Sequence, residues 1–71
     1  MIPLTFADAD STVTVNQVHG TDEMKRHLED LGFVPGTKVQ VILQRYGDVI
    51  VIVKDTRLAI TSQMASKVMV E

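Results

Sequence analysis

Leu28-Glu29-Asp30-Leu31-Gly32-Phe33-Val34-Pro35-Gly36-Thr37 is the stretch that decides the fold. Leu28 and Leu31 stand three residues apart, so both can face one side of a helical turn. Gly32 then supplies the residue type that takes a left-handed conformation without a Cβ penalty. With Gly32 just past the helix, Phe33 falls where an apolar contact back to Leu28 closes the cap. Pro35-Gly36 fits the centre of a type II turn, because proline presets φ and glycine accepts the positive φ that follows. The stretch therefore predicts a helix end, a change of direction and the launch of a sheet, with Gly32, Pro35 and Gly36 as its structural turn residues.

Outward from this point, hydrophobic period assigns the rest. Upstream, Val13 and Val15 alternate with threonines and asparagine as a first strand, and Val18 falls out of phase, which predicts a bulge or bend near Gln17. Gly20 breaks that run, and Thr21 or Asp22 can cap a short helix whose inward stripe is Met24, Leu28 and Leu31, joined by His27. Leu4 and Phe6 alternate and can line the domain, with a single helical turn near Phe6.

Downstream, Val39, Val41 and Leu43 alternate with Lys38, Gln40 and Gln44, while Ile42 implies partial cover of the outer side. Tyr46-Gly47-Asp48 reads as a turn. The apolar run Val49 to Val53 reads as a central strand covered on both faces. Asp55-Thr56 reads as a tight reversal, Leu58 and Ile60 point inward from the next strand, and Ser62 to Ser66 is one helical turn before a last strand with Val68 and Val70. The expectation is a mainly β domain over residues 1–71: about five antiparallel strands, one short helix in the first long connection, and a closed or nearly closed barrel, since closure removes exposed edges.

Composition bounds the function. A chain of 71 residues buries only about 60% of the surface its extended form exposes, so one continuous core must suffice. An apolar fraction of 45% beside 23% charged residues fits a folded protein. With no cysteine, disulfides, thiolate zinc sites, iron–sulfur clusters and cysteine nucleophiles are all excluded. A domain without such staples fits a reducing cytosol. The formal charge is −2 and the seven basic residues are dispersed, whereas a nucleic-acid surface needs them clustered. No segment approaches the ~20 apolar residues of a membrane span, and Met1 to Asp10 lacks the basic start and apolar run of a secretory signal.

Catalytic chemistry is not legible. His19 ends the first strand and His27 lies beside the apolar stripe, eight residues apart. Each reads as an ordinary polar or half-buried residue, with a metal-ligand role as the alternative. No serine sits in a nucleophile elbow and no glycine-rich phosphate cradle occurs. The acidic pairs Asp8/Asp10, Glu29/Asp30 and Asp48/Asp55 fall at turns or on a wet helix face. No catalytic, cofactor-binding or metal residue is therefore expected. What stands out is an apolar surplus: Phe33, Val34, Ile42, Ile50 and Ile52 lie off the obvious core rows. They are covered by the helix and N-terminal arm, or they serve a docking surface ringed by Arg45, Lys54 or Arg57.

Leu28-x-x-Leu31-Gly32-Phe33-x-Pro35-Gly36-Thr37, followed by Val39 and Val41, then Arg57-Leu58-Ala59-Ile60, Ala65 and Lys67-Val68-Met69-Val70, resembles the FeoA family of bacterial ferrous-iron uptake. Two departures are visible: Val49 follows Gly47-Asp48 where a proline-like position is usual, and Asp55 stands where glycine is common. The resemblance implies an SH3-like barrel and a non-enzymatic protein without cofactor. It also implies a cytoplasmic location, peripheral at the inner membrane through a partner, the iron permease with its cytosolic GTP-binding domain. Adapter binding then has two candidate faces: Met24, Leu28, Leu31 and Phe33 on the helix and cap, and Arg45, Tyr46 and Arg57 on the strands. Two alternatives are a metal-responsive regulatory domain, binding a transition-metal ion and related to the C-terminal domain of metal-dependent repressors, and a self-assembling module. Homo-oligomers are permitted; direct membrane insertion and nucleic-acid binding are not expected.

Overall fold

The computed structural model describes residues 1–45 and 47–71, so the turn and contact roles expected of Tyr46 lie outside the described residues. In chain order the elements are β1 (Ile2–Pro3), a 3-10 turn (Leu4–Phe6), β2 (Thr12–Val18), α1 (Asp22–Asp30), β3 (Lys38–Arg45), β4 (Asp48–Val53), β5 (Thr56–Thr61), α2 (Ser62–Ala65) and β6 (Val68–Val70).

Helix α1 is held at both ends. The Thr21 hydroxyl accepts from the Met24 N–H at 3.2 Å, a cap worth about 1 kcal/mol. Asp22 and Glu23 in the first turn meet the positive end of the helix dipole. At the other end Gly32 takes φ +111°. Its N–H donates to the Glu29 carbonyl at 2.9 Å, and the Phe33 N–H donates to the Leu28 carbonyl at 3.0 Å. That pair of bonds is a Schellman motif. Leu28 and Phe33 are both fully buried, which supplies the apolar contact the motif favours. A Cβ on Gly32 would lie 3.3 Å from Val53 Cγ2, so the cap also needs glycine for space.

The chain then turns through Pro35 and Gly36, with Gly36 at φ +91° and the Thr37 N–H donating to the Val34 carbonyl at 3.1 Å. This is the hydrogen bond of a type II turn. The Gly36 N–H donates to the Val15 carbonyl at 2.8 Å and the Val15 N–H to the Thr37 carbonyl at 2.9 Å, so the turn is stitched to β2.

The strands form one antiparallel sheet in the order β1-β6-β2-β3-β4-β5. β2 serves two neighbours: Thr12 to Thr14 pair with β3, and Val15 to Val18 pair with β6. A register shift between Val15 and Gln17 accompanies the change of partner, where the phase slip of Val18 predicts a bend. A second shift lies between Val41 and Leu43, leaving both Ile42 and Leu43 half-buried. β4 is not central as expected but lies next to the edge strand β5, with Val49, Val51 and Val53 buried and Ile50 and Ile52 half-buried. The reversal into β5 uses Lys54 (φ +51°) and Asp55 (φ +63°), one residue earlier than expected. Two consecutive positive φ values between paired Val53 and Thr56 make it a two-residue primed hairpin.

The closed or nearly closed barrel of about five strands is corrected here. Among the described residues there are six strands, and the terminal strands of the order, β1 and β5, do not pair. The cause is local. β1 has two residues, one of them Pro3, so it offers β5 almost no ladder. The chain leaves β5 through α2, capped by the Thr61 hydroxyl on the Met64 N–H at 3.1 Å, and α2 packs on the Leu4–Phe6 turn. Ala65 and Leu4 are fully buried, so helical turns rather than strand hydrogen bonds cover this side of the core.

The core gathers Leu4, Leu28 and Phe33 with the valines of β2, β3, β4 and β6, and holds no buried polar or charged side chain among the described residues. Each large side chain removed from water contributes about 1.5–3 kcal/mol. Phe6 departs from expectation: it is 73% exposed, because the 3-10 turn at Leu4–Phe6 replaces the period-two geometry that would have put it beside Leu4.

Candidate partner-binding surfaces

Of the four apolar residues assigned to the helix and cap face, Leu28 and Phe33 are fully buried and present no side-chain surface to a partner. Met24 and Leu31 are half-buried and keep partial access. Around Met24, the side chains of Thr21, Glu23, Arg26, His27 and Asp30 line an open groove along α1. His27 is exposed rather than packed in the apolar stripe; three residues beyond Met24, it stands at the flank of that stripe, where the helix surface turns toward water. His19 is exposed just after β2, with its backbone N–H donating to the Lys67 carbonyl at 2.7 Å. Among the described residues no three His, Cys, Asp or Glu side chains gather as a metal group.

The strand face divides. Arg45 sits at the end of β3 opposite Asp48. Arg57 lies in the cross-strand row Thr12, Gln40, Ile52, Arg57. Asp48 and Ile52 are four residues apart on β4, so the two arginines are separated by about 13 Å along the sheet, at 3.3 Å per residue. They occupy opposite ends and form no single basic patch.

Arg57 instead shares its end with the α1 cap. Gly32 abuts Val53 and Lys54, and Val53 pairs with Thr56, next to Arg57. The α1 cap, the Lys54–Asp55 tip and Arg57 therefore share one end of the sheet, with Gly32 against inward-facing Val53 and Arg57 on the outer face. Beside them Thr12, Lys38, Gln40, Ile52, Lys54 and Asp55 line a second shallow depression on the outer sheet face. Lys38 was not among the residues assigned to a surface by sequence; the alternation of Lys38, Gln40 with Val39, Val41 carries the signal. The exposure of Phe6 had no such signal.

Sequence and structure comparisons agree with this architecture. The FeoA domain matches residues 2–71. A protein of Methanocaldococcus jannaschii described as an Fe(2+) transport protein A is 34% identical over all 71 residues, which span 87% of that protein. A crystal structure of FeoA, described as an iron uptake regulatory protein, superposes with a TM-score of 0.90 at 28% identity, covering 99% of this chain and 93% of the other. Stenotrophomonas maltophilia FeoA, crystallised with zinc, gives 0.87 at 27% identity over 100% and 91% of the two chains. With its cap, its sheet and nearly its whole length matched in this way, the chain belongs to the FeoA domain family.

Proposed function

We propose that this chain binds the cytosolic GTP-binding part of the membrane ferrous-iron permease and regulates it by contact. As a FeoA-family protein it is a non-enzymatic accessory component of ferrous-iron transport. The observation that carries the reading is the family match over residues 2–71. Among the described residues no helix is long and apolar enough to cross a membrane. The proposed location is cytoplasmic, at the membrane through the permease.

The contact surface we favour is the end of the molecule where half-buried Leu31, in the α1 cap, lies beside the Lys54–Asp55 tip and Arg57, with half-buried Met24 two turns back along α1. Apolar anchors beside a charged rim suit a reversible interface. The test is a titration of the protein against the soluble GTP-binding domain, with and without nucleotide. Saturable binding is expected, weakened about tenfold by Arg57→Glu with an unchanged thermal melt. No binding in any nucleotide state overturns the proposal, and unchanged affinity in the variant removes Arg57 from the surface.

A further inference from the structure

We infer that β5 is an acceptor edge for an extended, acidic segment of a partner protein, which adds to the sheet as a seventh strand. The inference rests on the reading above that the chain acts by protein contact, and it names the chemistry of that contact.

The two ends of the sheet are not equivalent. β1 is two residues long and contains Pro3, which lacks a donor. β5 runs six residues in continuous register with β4, from Asp48↔Thr61 to Val53↔Thr56, without a bulge. It carries no proline and no inward charge, the usual devices that blunt an edge. Hydrogen-bonded pairs alternate along an antiparallel ladder, beginning at Val53 and Thr56, which flank the two-residue turn. Leu58 and Ile60 then bond to β4, and the backbone N–H and C=O groups of Arg57 and Ala59 face away from it. Thr56, Arg57, Ala59 and Thr61 are all exposed.

Side chains define the occupant. On the outer face, Arg57 continues the row of Gln40 and Ile52 at the rim of the depression lined by Lys38, Lys54 and Asp55, so three cations stand with one carboxylate among these four residues. A residue facing that side of an added strand gains by being acidic. On the inner face, half-buried Leu58 has apolar surface left to cover. The segment therefore alternates apolar and acidic residues, a form of strand addition in which the backbone supplies affinity and alternate side chains supply selectivity. A second copy of β5 (Thr-Arg-Leu-Ala-Ile-Thr) brings no carboxylate to Arg57, so it is the weaker occupant.

The probe is a short capped peptide of alternating valine and glutamate, titrated into isotopically labelled protein and followed by amide shifts and hydrogen exchange. Saturable shifts centred on β5 and slowed exchange at Arg57 and Ala59 are expected, with no binding by the valine–lysine counterpart. Ala59→Pro removes an outward N–H without breaking a bond to β4, and abolishes binding. Arg57→Glu keeps both edge amides and weakens binding about tenfold, so it decides the matter if the proline variant does not fold. Shifts centred on α1, equal binding of the lysine peptide, unchanged affinity in Arg57→Glu, or self-association through β5 each overturn the inference. If the GTP-binding domain binds folded Ala59→Pro as tightly as the parent, strand addition fails and the permease reading stands. If β5 takes the peptide while the GTP-binding domain ignores the protein, the permease reading fails and strand addition stands.

Discussion

Two places in the molecule force the backbone to positive φ within a few ångströms of each other, and they are built in opposite ways. At Gly32 the residue is buried, its neighbours Leu28 and Phe33 are in the core, and a Cβ would press on Val53. At Lys54 and Asp55 the same conformational demand is met by two ordinary exposed residues. Left-handed backbone is tolerable for a side chain that points into water, because only the local penalty is incurred. It becomes prohibitive where the added atoms also have nowhere to go. The glycine is thus fixed by packing as much as by dihedral angle, while the hairpin tip is free to carry charge.

Phe33→Ala sharpens the contrast most, since it removes the apolar half of the cap. A loss of about 3–5 kcal/mol is expected, against a total stability of about 4–11 kcal/mol for a chain of this length. Urea denaturation of the variant should show a much lower midpoint or no folded baseline, and a midpoint near the parent's would mean the cap contact is dispensable. Gly32→Val should cost about 2–4 kcal/mol, read as a fall in melting temperature of roughly 4–8 °C per kcal/mol. A variant melting with the parent would show that the packing against Val53 relaxes freely. Smallest, and opposite in sign, is Asp55→Gly at the exposed tip. Relief of positive φ is partly offset by the greater freedom of the unfolded chain, leaving a gain of about 0.5–1 kcal/mol. A lower melting temperature would mean that the Asp55 side chain contributes something to the turn.

The same contrast explains what the sequence makes legible. The helix stop can be read from Leu28, Leu31, Gly32 and Phe33 because every group involved lies within six residues. The bend in β2 is legible because Val18 breaks a period of two, whatever pairs with it. Lys54–Asp55 is not, since Lys54 gives no sign of positive φ and Asp55 suits a turn with Thr56 as well as one with Lys54. Sheet closure is not legible either. It depends on whether β1 and β5 meet, and that is decided by two residues at one end and by α2 folding over Leu4–Phe6 at the other. The surfaces suffer from a related ambiguity: Leu28 and Phe33 read equally as anchors for the cap and as contacts for a partner, and burial assigns them to the cap. Arg45 and Arg57 look interchangeable in sequence, yet cross-strand register sends them to opposite ends.

β6 is only three residues long, but it lies between β1 and β2, with Val68 and Val70 fully buried. The strand at the heart of one half of the sheet thus follows the other described strands in chain order. β3 to β5 can assemble as local hairpins, whereas β1 has no neighbour until Val70 is in place. Completion is then a single late event linking distant parts of the chain, the kind of step that sets the pace of folding in sheet proteins.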